Sequence, residues 1–549
     1  MIARVAASCL AALALLLPPT PFAAEPPADK GEAIYLRGVL ASGAALVGSR
    51  SEGSPLKAAE AACVNCHRRS GFGGREGRTA VPPITGRYLF RQKASAGGRD
   101  DRGIPYVEGM RGDREPYTDA SLAHAIRDGV DSQGRPLSYL MPRYALKDAD
   151  MAALIAHLKQ LDHRKVPGVT DSTLHFATVI TPDADPVKRR GMLDVMNQFF
   201  GERNVRQMVP APPMQSSSKT AYARSMFMVH RRWELHVWEL SGPESTWQAQ
   251  LDKRLAAEPV FALLSGLGGH NWAPVHAFCE RAAIPCLFPN VELPVDRARD
   301  FYSLYFSKGL LLEAELIADA IGRDSGGGAP KSVVQVYRSG DSGEAAAAAL
   351  AEALKRRGLA ASNQALALGA AAEGLADVLR QASNGEALVL WLRPDDLARL
   401  GEAPAGAGEV YASGLMGGLE RAPLPITWRE RTRLAYPFDL PDRRRVRVDF
   451  ALGWFRARRI PVVAEQVQVD TYLACSLASE TLNHMVDTFV RDYLIERTET
   501  LLEHRIVTGY YPRLTLAPGQ RFASKGGYLV RFAGPEGLRL AADRDWTVP

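Results

Sequence analysis

Apolar residues recur at three- and four-residue spacing in two stretches of the first third of the chain. Leu122, Ala125 and Ile126 fall on one face of a helix that Thr118 or Asp119 caps and Gly129 closes. Met151, Leu154, Ile155, Leu158 and Leu161 line one face of a second, closing helix. Residues 31–38 read as a short helix ending at glycine, and 56–62 as a helix leading into a cysteine pair. Asp162 to Gly168 is a polar stretch with Pro167 and Gly168, and the domain boundary is placed there. Beyond it the pattern changes to short apolar runs alternating with helical periodicity. Strands are expected at 174–181, 234–240, 260–265, 284–288, 302–306, 331–338, 387–392 and 410–415. Helices are expected at 185–204, 245–257, 271–283, 310–321 and 343–357, then a long helical segment over 466–503 and a β-rich tail over 506–532. Two stretches, starting near Asp185 and near Lys331, share one βαβα rhythm. Two doubly wound lobes joined by a hinge account for this better than one very wide sheet.

Length supports the division, since 549 residues exceed one hydrophobic core. With 46% hydrophobic and 23% charged residues the composition is that of an ordinary globular protein. The first residues depart from it. Arg4 precedes an apolar run from Val5 to Leu17, prolines follow at 18, 19 and 21, and small residues stand at Ala23 and Ala24. This is the pattern of a secretory signal over 1–24, too short to span a bilayer comfortably, so no stable membrane span is expected. The formal charge of +6, without a long Lys/Arg tract, points to acidic docking partners and away from nucleic acid.

The chemistry gathers at Cys63-Val64-Asn65-Cys66-His67. Two thiols separated by two residues, with an imidazole directly after, suit covalent attachment of one haem and ligation of its iron by His67. The other readings are a thioredoxin-like redox pair and half of a zinc site. The second lacks a further ligand pair, because the next cysteine is Cys279. The first expects a strand before the motif, where the sequence is Ala-rich. Of the remaining cysteines, Cys9 lies within the signal. A disulfide is permitted among Cys279, Cys286 and Cys475, most simply Cys279 to Cys286. From Arg68 to Arg102 the chain is glycine-rich and basic, either a solvated loop or a rim that steers acidic redox partners to the haem edge.

Pro82-Pro83 follows the motif by fifteen residues, and Leu140-Met141-Pro142-Arg143-Tyr144 precedes the closing helix. With these elements, residues 30–161 resemble class I monohaem cytochromes c. The resemblance implies a small all-α domain, within 25–165, carrying one covalent haem c. It implies axial ligation by His67 and Met141, and a proline carbonyl hydrogen-bonded to the proximal imidazole. Met110 and His124 are the rival sixth ligands. His124 reads better as a surface histidine, and Met110 lacks a following proline and helix.

By element order and length, residues 166–549 resemble the type I periplasmic binding proteins, the group that includes branched-chain amino-acid receptors. The resemblance implies an α/β two-lobed module with a ligand site between the lobes. Its best candidate is the turn Ser265-Gly266-Leu-Gly-Gly-His270-Asn271, where free N–H groups at a helix start hold an anion. An ordinary strand-to-helix turn needs the same glycines. Trp272, Tyr302, Tyr305 and Trp391 line a cleft or belong to the core. Ser339 and Asp341 mark the equivalent strand end in the other half. His270 and His276 lack a third partner, so no metal site is read there.

No acid/base or nucleophilic constellation stands out, so the expectation is an electron carrier and not an enzyme. The expected setting is the periplasm, with a dehydrogenase, an oxidase or another cytochrome as redox partners. The binding-protein-like module would dock a partner or sense a small ligand. The alternatives are a periplasmic solute receptor with an accessory haem, and a haem peroxidase, which would need an open distal position.

Overall fold

The computed structural model describes residues 27–50, 54–90, 114–162, 165–208, 231–324, 332–367, 372–381, 387–402, 408–485, 488–504, 509–534, 537 and 539–549. The expected signal at 1–24, Met110 and residues 91–102 of the basic run lie outside them. The chain divides between residues 163 and 164 into two compact units.

Unit 1 packs α1 (Pro27–Arg37), α4 (Asp119–Asp128) and α5 (Asp148–Gln160) around the short helices α2 (Val64–His67) and α3 (Gly86–Leu89). The Thr118 hydroxyl accepts from the Ser121 N–H while the Ser121 hydroxyl caps the Thr118 N–H. Gly129, at φ 75°, closes the helix between them. Leu122 and Ile126 meet Met151, Leu154, Ile155 and Leu158 of α5 in the core of this unit, with Ile34 and Tyr35 of α1. Besides its helices the unit carries two small antiparallel sheets. One is β1 (Val47–Ser49) flanked by β2 (Leu56–Lys57) and β5 (Arg143–Tyr144), and the other is the hairpin β3 (Gly74–Glu76) and β4 (Thr79–Val81). The helix expected over 56–62 is replaced by β2 and a single 3₁₀ turn, Ala58–Ala61. Ala58 takes φ 50°, which ends the strand and rules out a continuous helix there.

Unit 2 holds two sheets. The first orders β10 (Ser303–Leu304), β9 (Cys286–Leu287), β8 (Ala262–Leu264), β6 (Thr173–Ile180) and β7 (Arg232–Glu239), all parallel. It is crossed over by α6 (Pro186–Met208), α7 (Trp247–Ala257) and α8 (Ala273–Arg281). The second orders β12 (Ala361–Leu366), β11 (Val333–Arg338), β13 (Ala387–Trp391), β14 (Val410–Ser413), β15 (Thr432–Tyr436), β16 (Tyr528–Ala533) and β17 (Arg539–Ala542). Its first five strands are parallel, and β16 and β17 run antiparallel. The helices α9 (Leu310–Asp324), α10 (Ser342–Lys355) and α11 (Ala372–Gln381) belong to this second lobe.

The chain then returns. α12 (Pro441–Ala457), α13 (Glu465–Met485) and α14 (Arg491–His504) follow β15. Trp454 and Arg458 bond Glu202 of α6, and Arg491 donates to the Val260 and Phe261 carbonyls of the first lobe. Only then does β16 rejoin the second sheet. The lobes are therefore linked by three chain crossings, after β10, after β15 and before β16.

The single long helix expected over 466–503 is two helices, with Thr488 and Val490 turning back on the Met485 and Thr488 carbonyls. Among the described residues the β-rich tail reduces to β16, because Pro512, Pro518 and the 517–520 turn leave little ladder to form. α12 and the polar edge strand β12 went unread, the first because Arg443, Arg444, Arg445 and Arg447 mask its apolar stripe. No helix of the described residues is long and apolar enough to cross a membrane.

Candidate functional site

His67 ends the one-turn helix α2, and the chain leaves it through Arg68 at φ 65°. Gly71 and Gly73 keep positive φ as the loop doubles back, and a Cβ on Gly73 would lie 2.1 Å from the Val81 carbonyl oxygen. The β3–β4 hairpin then delivers Pro82, whose carbonyl oxygen lies 3.0 Å from His67 Nδ1. Such a bond from Nδ1–H fixes the tautomer and leaves the Nε2 lone pair for a metal. Burial pushes the imidazole pKa down to about 4, against the raising effect of the Pro82 carbonyl, so the ring is neutral at physiological pH. Burial pushes the Cys63 thiol up to about 12, with the Cys66 thiol adding to the rise.

On the other side, β5 pairs with β1, and the Tyr144 hydroxyl donates to the Ala61 carbonyl at 2.9 Å. This anchors the turn carrying Met141, whose N–H bonds the Ser138 carbonyl and whose carbonyl accepts from Arg143. The Arg143 guanidinium passes where a side chain on residue 129 would be, so Gly129 serves both the helix end and this anchor.

Cys63, Cys66, His67, Pro82 and Met141 line one cavity of about 340 Å³, together with Leu46, Leu89, Leu122, Ile126, Leu154 and Leu158. Arg50 and Arg114 also line it. An apolar cleft lined by two thiols, a neutral imidazole fixed through Nδ1 and a thioether, with two arginines in its lining, suits a haem: two attachment points, two soft or neutral donors for an iron, and positive charge for an anionic group. The residues fit the group. His124 faces solvent beside Asp128, as its surface reading requires. Arg75 and Arg78 of the basic run are exposed on the β3–β4 hairpin.

The candidate turn of unit 2 reads otherwise. Ser265 is fully buried, and its hydroxyl donates to Thr471 at 3.0 Å and accepts from Asn290 at 3.0 Å. A side chain on Gly266 would meet the Trp272 ring at 2.5 Å. Asn271 Oδ1 accepts from the Ala273 N–H, and its amide donates to Glu244. The N–H groups of Leu267, Gly268, Gly269 and His270 are taken by Val179, Asn290, Thr181 and Asp183. Ser265, Gly266 and Asn271 thus belong to a strand-to-helix turn whose N–H groups from 267 to 270 are already taken, and the anion-holding expectation loses those donors. Trp272, Tyr302, Tyr305 and Trp391 are all core.

What occupies the strand ends between the lobes is an ion-pair network. Arg393, after β13, donates to both Glu292 oxygens at 2.7 and 2.8 Å and to Asp341 at 2.7 and 2.9 Å. The Ser342 hydroxyl adds a bond to Glu292 at 2.7 Å, and Lys188 stands 3.7 Å from it. Glu292 belongs to the first lobe and Asp341, Ser342 and Arg393 to the second. Burial raises the Glu292 and Asp341 carboxyls, but the Arg393 hydrogen bonds and charge outweigh it and leave both below their ordinary values. Sequence spacing gives no sign of this clamp. Cys279 and Cys286 are buried and not joined by a disulfide, and burial raises the Cys279 thiol, with the neighbouring Cys286 adding to the rise.

The cytochrome c family model matches residues 56–162. No curated protein matches the chain. Among solved structures, a fatty acid ABC transporter substrate-binding protein from Thermomonospora curvata is 14% identical, with a TM-score of 0.49, covering 70% of this chain and 95% of its own. A branched chain amino acid ABC transporter protein from Thermus thermophilus with bound valine is 10% identical, with a TM-score of 0.49, covering 69% and 97%. A leucine binding protein from Thermotoga maritima is 10% identical, with a TM-score of 0.46, covering 68% and 98%. The first unit is thus a cytochrome c domain, and such a domain implies haem-based electron transfer.

Proposed function

We propose that the chain is a periplasmic c-type cytochrome, exported by a signal at 1–24, with one haem c attached through Cys63 and Cys66 and axially held by His67 and Met141. The observation that carries this is the single cavity lined by both thiols, by His67 fixed on the Pro82 carbonyl, and by Met141. When bound, a haem supplies an iron that takes up and releases one electron. The chain's residues do the rest. Pro82 orients the imidazole and makes it a better donor. Met141, on a turn pinned by Pro142 and β5, offers a soft thioether that favours the reduced state. The apolar lining excludes water, and the exposed Arg75 and Arg78 place positive charge on the surface that an acidic redox protein meets.

For unit 2 the reading is a binding-protein-like scaffold that docks a partner. Its parallel lobes and three crossings support the architecture. The Glu292–Arg393–Asp341 clamp favours docking over capture of a small solute, since it fills the strand ends where such a ligand sits. The partners are a periplasmic dehydrogenase, an oxidase or another cytochrome.

Met141→Ala tests the ligation. The expected outcome is loss of the low-spin ferric spectrum and a midpoint potential lower by on the order of 0.1 V, a fraction of the ~0.8 V that axial ligands span. An unchanged spectrum and potential would remove Met141 from the site.

A further inference from the structure

Near the amino ends of β6 and β7, away from the clamp at the carboxyl ends, three side chains converge on one face of the first sheet. His175 pairs across the ladder with Glu234, and Ala177 with His236, so positions 175, 234 and 236 project to the same side. His175 Nδ1 lies 3.1 Å from His236 Nε2, and the Glu234 carboxylate places Oε2 4.0 Å from the first nitrogen and Oε1 4.0 Å from the second. This is the one group of three or more metal-type side chains found among the described residues.

We propose that His175, Glu234 and His236 form a binding site for a divalent transition ion of the zinc class. Tetrahedral zinc with Zn–N bonds of about 2.0–2.1 Å separates two ligand nitrogens by roughly 3.3 Å. The observed 3.1 Å is close to that separation. Two imidazoles and one carboxylate exclude calcium and magnesium, which take all-oxygen shells. Glu234 is half exposed, so its carboxylate needs only a swing of under roughly 1 Å to complete the set.

The support around the ligands has the same sense. His236 Nδ1 faces Glu258 Oε2 at 3.5 Å, and that carboxylate accepts from Trp238 Nε1 at 2.8 Å. A carboxylate on Nδ1 selects the tautomer whose Nε2 lone pair points at His175. β7 is the edge strand of its sheet, so an ion here ties the edge to β6. Three protein ligands leave the fourth tetrahedral position to solvent. The sequence did carry a signal: histidine and glutamate alternate at 234 and 236, facing a histidine on the preceding strand. Only the parallel pairing brings the strands together.

The test uses the full, haem-loaded chain purified without a polyhistidine tag, stripped with a chelator and titrated with ZnCl₂ against a chromophoric competitor. The expected result is one zinc per chain, with a zinc-edge absorption spectrum showing imidazole nitrogen and oxygen neighbours and no sulfur. His236→Ala should weaken binding at least a hundredfold. Glu234→Gln, at a half-exposed position that leaves the fold intact, should weaken it about tenfold. Unchanged haem absorbance and tryptophan emission in both variants show that the loss is local. Less than a tenth of an equivalent bound, unchanged affinity in both variants, or sulfur neighbours would each overturn the site and leave a histidine pair sharing one proton.

Discussion

The two units treat their polar groups in opposite ways. In unit 1 the thiols, the imidazole and the thioether are directed at a shared space, and the surrounding backbone holds them there. In unit 2 the groups at the carboxyl ends of the strands are directed at each other: Arg393 saturates Glu292 and Asp341, and Thr181, Asp183 and Asn290 absorb the glycine-rich turn. A unit built around a space needs an occupant to be stable. A unit whose strand ends are closed by its own ion pairs is stable without one and presents its outer surface. The chain also supplies separate probes, because all eight tryptophans belong to unit 2 while haem absorbance reports on unit 1.

The largest effect should come from removing the attachment chemistry. Leaving about 340 Å³ unfilled costs at most roughly 8 kcal/mol at ~24 cal/mol per Å³. That is comparable with the ~5–15 kcal/mol net stability of a whole domain. Cys63→Ala combined with Cys66→Ala should therefore yield a chain without haem whose residues 27–162 are cut rapidly by protease, while tryptophan emission stays native. Protease resistance of the haem-free unit would break the comparison, since the cavity would then hold itself open.

Next in size is the clamp. Arg393→Ala strands two largely buried carboxylates. Removing one partner of a buried pair costs ~3–5 kcal/mol, and a guanidinium one-third exposed reduces this to about 2–3 kcal/mol. Urea titration followed by tryptophan emission should show the loss with haem absorbance unaltered. Should Arg393→Ala instead leave stability intact and gain affinity for an amino acid or other small acid, unit 2 is a receptor held shut, and the docking reading fails.

The sequence disclosed unit 1 far better than unit 2 for a physical reason. Cys63, Cys66 and His67 stand in one short register, and a proline, a methionine and two amphipathic helices follow within a hundred residues. The cap at Thr118, the glycine at 129 and the buried face of α5 were legible because each depends on neighbours three or four positions away. The clamp joins residues 50 to 104 positions apart, and the histidine cluster joins strands about sixty apart. Neither leaves a local periodicity. The turn at Ser265 stayed ambiguous for the complementary reason: glycine spacing reports the backbone turn but not whether Thr181 and Asp183 arrive to take its N–H groups.

The smallest effect concerns pH, and it separates the clamp from a carboxyl behind it. Glu313, fully buried on α9, is pushed up to about 8 by burial, with the Glu292 charge adding to the rise and the Ser413 hydroxyl and Leu415 N–H opposing it. Asp470 is raised to about 7, again chiefly by burial. Between pH 6 and 8 the unfolded chain has ionised both groups while the folded chain still holds protons. The folded state then binds more protons than the unfolded state, and stability falls as pH rises, by up to ~1.4 kcal/mol per unit for each group. Glu292 and Asp341 carry the opposite sign. Their folded values are depressed, so their contribution is complete above the ordinary carboxylate range near pH 4 and disappears only as pH falls through the depressed values. They add no slope between pH 6 and 8. Unfolding free energies from urea titrations followed by tryptophan emission should therefore decline over that window by at least about 1 kcal/mol in total. Glu313→Gln should flatten the upper part of the decline, toward pH 8, and leave the acid limb in place. Arg393→Ala should do the reverse, reshaping the acid limb and sparing the decline. A flat profile from pH 6 to 8 in the unmodified chain would mean that water reaches Glu313 and that the strand ends behind the clamp are open after all.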